Sequence, residues 1–152
     1  MPTLQKLSDE NIRGSFIELE AVVNAIDDDN LNLPWSQWQP TLGANSSMTF
    51  TATTIETARY VQIDKTIHFF IYVTGTVGGT PSTALTFTLP LRPRDGQLPN
   101  FTAIAIDNSS EVCGFARTSA AQSDIINVKR YDGANYTAGS SGFFVSGTYE
   151  VA

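Results

Sequence analysis

At 152 residues the chain is sized for one domain, since two cores of half this length would each be marginal. Charged residues make up only 16% of it, against a usual figure of about 25%, and Thr and Ser fill the gap at alternate positions of apolar runs. A formal net charge of −6, with no cluster of Lys or Arg, excludes the basic stripe that phosphate neutralisation needs, so nucleic acid is not an expected partner.

The chain opens Met1-Pro2-Thr3-Leu4-Gln5-Lys6-Leu7, without the long apolar stretch of a secretory signal. No run of about 18 apolar residues occurs anywhere, so membrane insertion is not expected and synthesis in the cytoplasm is. The first element is a helix over residues 9–27. Ser8 suits its N-cap, and Asp9 and Glu10 place negative charge where the helix dipole favours it. Ile12, Phe16, Leu19, Val23 and Ile26 then follow at spacings of 4, 3, 4 and 3, an a/d heptad seam. The seam reads as a short coiled-coil stem, which would span about 22 Å. Ile17 and Val22 widen the stripe enough to pack on the chain's own domain, so both uses stay open. Gly14 weakens a self-sufficient helix by about 1 kcal/mol relative to Ala. Asp27-Asp28-Asp29 opposes the dipole and ends it. Counting from Asp28, Leu33 and Gln39 occupy the positions where a calcium loop requires Gly and Glu, so no metal is expected there.

Residues 1–33 are thus expected to form an anchor and stem, 34–42 a connector, and 43–152 a β-sandwich head. The connector Leu33-Pro34-Trp35-Ser36-Gln37-Trp38-Gln39-Pro40 carries both tryptophans, which are expected to seal the base of the head rather than stack on a sugar. Period-two alternation then repeats. Met48, Phe50 and Ala52 alternate with threonines, 58–63 reads as a second strand, and Asp64-Lys65 as the turn into a third. In 66–74, Ile67, Phe69, Ile71 and Val73 share one face and His68, Phe70, Tyr72 and Thr74 the other. Aromatic residues on both faces predict cover on both sides, by the core and by a neighbouring subunit. Residues 75–82, rich in Gly and Thr, read as a loop. Leu85, Phe87 and Leu89 form another strand, stopped by Pro90-Leu91-Arg92-Pro93. Further strands are expected over 101–107, 111–117, 125–131 and 143–151, with turns at Asp107-Asn108-Ser109-Ser110 and Asp132-Gly133-Ala134-Asn135. About eight strands at this spacing fit a sandwich or barrel.

The groups that catalysis needs do not converge. His68 is the sole histidine, so triads and histidine metal pairs lack partners within one chain. Cys113, the sole cysteine, lies in the apolar run Glu111-Val112-Cys113-Gly114-Phe115 and reads as a small buried hydrophobe. Gly78-Gly79 has neither the following helix nor the Lys of a phosphate loop. Carboxylates are plentiful, yet no pair is singled out for glycoside hydrolysis. No catalytic, cofactor-binding or metal-binding residue is predicted, and the chain is not expected to be an enzyme.

From Trp38-Gln39-Pro40-Thr41-Leu42, through Ala58-Arg59-Tyr60-Val61-Gln62-Ile63-Asp64-Lys65-Thr66-Ile67, to Leu85-Thr86-Phe87-Thr88-Leu89-Pro90, the chain resembles small tail-fibre, tail-spike and capsid-decoration proteins of tailed bacteriophages. Asn11-Ile12-Arg13-Gly14-Ser15-Phe16 and Asn30-Leu31 resemble the helix and step that precede such heads. Where the usual turn has Gly-Lys, this sequence has Asp64-Lys65. The resemblance implies an antiparallel jelly-roll head on a helical stem, assembled as a parallel homotrimer within a virion. It also implies partners among virion proteins, either the major capsid protein or a tail component. The leading expectation is a structural protein that decorates or reinforces the capsid. The alternative is the receptor- or glycan-binding head of a short tail fibre or spike, with Tyr131, Asn135 and Tyr136 in an exposed loop that meets a host-surface glycan.

Overall fold

A computed structural model describes residues 34–118 and 123–152. The expected helix and its seam at Ile12, Phe16, Leu19, Val23 and Ile26 lie outside the described residues. The rest is mainly β, one antiparallel sheet of nine strands. In chain order these are β1 (Ser36–Gln37), β2 (Leu42–Ala44), β3 (Met48–Ile63), β4 (Thr66–Gly79), β5 (Ala84–Thr88), β6 (Asn100–Asp107), β7 (Ser110–Thr118), β8 (Ile125–Arg130) and β9 (Gly139–Glu150). Their order across the sheet is β1-β3-β4-β9-β6-β7-β8-β5-β2.

That order forces the sheet to curl. β2 is the last strand of the sheet and β3 the second, yet only residues 45–47 join them in the chain. Three residues reach about 10 Å, far less than the width of a flat sheet of this size. The inner faces therefore meet. Phe69 of β4 lies 6.2 Å from Phe87 of β5 between ring centroids, and Phe87 stacks on Phe143 of β9 at 5.4 Å. Around these rings pack Ile67, Ile71, Val73, Leu85, Ile126, Val128 and Val145, each at most 1% exposed. Alternation carries this core: Ile67, Phe69, Ile71 and Val73 point in from β4, as their spacing predicts.

The connector belongs to the sheet. β1 pairs with Arg59 and Tyr60, and Leu42 pairs with Phe87. Trp38 does seal the core: its indole Nε1 donates to the Thr88 carbonyl at 3.1 Å, and it meets Tyr60 and Phe69 edge-on. Trp35 instead stays exposed, with the Arg59 guanidinium 4.9 Å from its ring.

The strands differ from expectation at two places. Residues 48–63 form one strand, because register shifts near Thr51/Thr54 and Ile55/Thr57 absorb the break that the sequence reads as a boundary. Residues 75–79 continue β4 instead of forming a loop. Gly75 is there to admit a neighbour: an added Cβ would sit 2.7 Å from the Phe50 ring. The turns at Asp64 and at Asn108-Ser109 are as expected, each with φ near +50° to +70°.

Candidate functional site

The outward side of β4 extends across its neighbours as a band of half-buried aromatic residues around the exposed Ile104. Register places Tyr72 beside Phe144 of β9, Phe144 beside Ile104 of β6, and Ile104 beside Cys113 of β7. Tyr72 and Phe144 stack at 4.0 Å with their planes 10° apart, and Phe70 joins Phe144 at 5.6 Å. Ile104 is 43% exposed. Phe115 extends the band along β7. Arg59 borders it, lying 5.8 Å from the Phe70 ring as well as over Trp35. His68 sits on the same outward side, its Nδ1 2.9 Å from the Thr148 hydroxyl.

Cys113 corrects an expectation, since it is exposed rather than buried. In β7 it is Ala116 that faces the core, with Val112 packed against it, so the odd-numbered Glu111, Cys113 and Arg117 face solvent.

The loop after β8 is also only partly as expected. Tyr131 is 71% exposed and Asn135 is exposed, but Tyr136 is a core residue at 1% exposure and cannot meet a surface ligand. Its hydroxyl donates to the Val128 carbonyl at 3.3 Å and its amide donates to the Ser82 carbonyl at 2.9 Å. Burial pushes its phenol well above the ordinary tyrosine value. An acid that the sequence reads only as a turn residue fixes this inward tuck. Asp107, 6% exposed, accepts from the Thr137 amide at 2.6 Å, from the Thr137 hydroxyl at 3.3 Å, and from Arg130. Arg130 also donates to Asp132 at 2.7 Å, which with the Ala134 amide holds that carboxyl below its ordinary range. Arg130 and Thr137 lie 23 and 30 residues from Asp107 in sequence, so no local motif marks them.

A second feature lies on the outside of the sheet where β6, β7 and β8 run toward β2. Here an open cleft of about 700 Å³ is lined by Asn45, Asn100, Arg117, Thr118, Asn127 and Lys129, with Leu98 and Ile125 at its sides. None of these residues was singled out by the sequence, because they come from four separate segments and share no motif.

Among the described residues, no group of three or more His, Cys, Asp or Glu is placed to hold a metal ion, and no helix is long and apolar enough to cross a membrane. Comparison of the chain with protein families, curated proteins and solved structures finds no match.

Proposed function

We propose that this chain is a non-enzymatic structural protein of a bacteriophage virion, working as a homotrimer with a jelly-roll-like head that decorates or reinforces the capsid. The observation that carries the self-association is the outward band of Phe70, Tyr72, Phe144, Ile104 and Phe115. A sheet face meant only for water alternates to polar residues. This one places stacked rings there, as an interface core does. The heptad seam at Ile12, Phe16, Leu19, Val23 and Ile26 supports association independently, through a different part of the chain. The virion setting rests on the resemblance of residues 38–90 to phage decoration and fibre heads.

Light scattering on the intact chain and on a form lacking residues 1–30 tests the oligomer. A mass of three chains that falls on truncation supports the stem and head acting together. A monomer in both forms rejects the trimer. Immunogold labelling of phage particles then tests the location: label on the head supports decoration, and label confined to the tail tip supports the second reading.

That second reading is a receptor-binding head, and exposed Tyr131 and Asn135 favour it. Host adsorption that is unchanged by substitution of both residues would count against it.

A further inference from the structure

The cleft between β6, β7, β8 and Asn45 combines features that a solvated surface has no need to bring together. Among the described residues its lining holds both Arg117 and Lys129 and no carboxylate, in a chain whose acids outnumber its bases by 15 to 9. Arg117 pairs across the strands with Asn127, and Lys129 with Phe115, so the cations are diagonal neighbours on one face. Such positions lie roughly 7–8 Å apart, a spacing that one anionic group can bridge. Neither cation forms an ion pair among the described residues; Arg117 only approaches the Phe115 ring, at 5.6 Å.

Asn127 pairs with Arg117 and so shares the outward face, yet it is only 7% exposed, which sets its amide at the floor of the cleft instead of in open solvent.

We infer that this cleft binds an anionic saccharide, with its acidic group held by Arg117 and Lys129. Arg suits the planar carboxylate because its guanidinium donates two parallel hydrogen bonds. Asn45, Asn100 and Asn127 each offer a donor and an acceptor, which matches the paired hydroxyls of a sugar. Leu98 and Ile125, 59% and 44% exposed, give the C–H face of a ring apolar surface at the sides. The volume is in the range of small-ligand sites. A nucleic acid fits less well, because among the described residues the lining contains no aromatic ring for base stacking and only a pair of cations for the backbone. The site belongs to a single chain and does not depend on the trimer.

Calorimetric titration of the intact protein with a short oligogalacturonate tests the assignment, with a neutral maltooligosaccharide of equal length as control. The expected result is binding of the acidic sugar alone, weakening as salt rises. Arg117→Gln and Lys129→Gln should each weaken it about tenfold, the loss typical of a charge-assisted hydrogen bond. Arg117→Lys, which keeps the charge and loses the planar fork, should weaken it less than Arg117→Gln while the far-ultraviolet spectrum stays that of wild type, which a misfolded variant would not show. A sulfated oligosaccharide that binds where the uronate does not would keep the site and assign sulfate as the anion. Equal binding of the neutral sugar, unchanged affinity in both charge variants, or tighter binding of a single-stranded oligonucleotide would overturn the inference. Light scattering on the same samples reads the oligomer separately, so a trimer that binds no acidic sugar rejects the cleft alone.

Discussion

Replacing Asp107 removes an acceptor on which a whole loop converges. In Asp107→Ala the Thr137 amide loses a contact of 2.6 Å to a carboxylate that is 6% exposed. A hydrogen bond to a charged group is worth about 1.5–3 kcal/mol. Arg130 loses one partner but keeps Asp132 at 2.7 Å, and its side chain is 19% exposed, so its share is small. The total is about 3 kcal/mol, at the lower end for breaking a buried charge pair. Asp107→Asn keeps an acceptor for the Thr137 amide and loses only the charge, so about half that loss is expected. Urea denaturation followed by fluorescence should rank the proteins wild type, Asn, then Ala, with unchanged slopes. Amide exchange at Thr137 should quicken in the same order, since Asp107 ties this segment to β6. A cost for Ala below about 1 kcal/mol, or Thr137 exchange equal to wild type, would refute the reasoning, because among the described residues no other acceptor holds that amide.

Four further outcomes follow from the same geometry. Arg130 and the Ala134 amide hold the Asp132 carboxyl below its ordinary value, so this group adds stability above that value and loses it as pH falls through its folded pKa. Acid titration of stability should therefore drop less steeply below about pH 4 in Asp132→Asn than in wild type. Gly142→Ala should cost about 3 kcal/mol or leave the protein insoluble, since its Cβ would collide with the Val73 carbonyl and lie 3.1 Å from the Thr74 Cα; both are sheet backbone that no rotamer change relieves. Phe144→Glu places a charge in the middle of the outward aromatic band, so light scattering should report a monomer with a normal far-ultraviolet spectrum. Thr118→Val removes a buried hydroxyl that has no partner among the described residues, and thermal melting of the ligand-free protein should show a gain of about 1 kcal/mol.

The strands were legible where side-chain alternation is clean. Ile67, Phe69, Ile71 and Val73 announce the inward face of β4, and Leu85 and Phe87 that of β5, because burial on one side leaves a period of two in the sequence. Continuity was harder to read. Gly75 looks like a loop residue until Phe50, from another strand, is seen to need the space. Cys113 was misplaced for a reason that the sequence does contain: Glu111 and Arg117 share its parity and mark that side of β7 as the wet one. Tyr136 carries no such mark, and only the distant Asp107, Arg130 and Ser82 draw its segment inward. The cleft was invisible for the same reason, since Arg117, Lys129, Asn127 and Asn45 become neighbours only through strand pairing.

The place of β9 in the sheet also governs how the protein must be made. It lies between β4 and β6, pairing with Thr66–Val77 positions on one side and with residues 102–106 on the other. Synthesis delivers β4 and β6 first, and each then waits with a row of open amides and carbonyls facing a gap the width of one strand. Such edges invite pairing with whatever strand arrives, including one from a neighbouring nascent chain. Closing the gap needs partners far apart in sequence, which is slow for a chain of this length. Crowded polysomes should therefore favour strand exchange between chains, and cooler, slower expression should favour the correctly closed molecule.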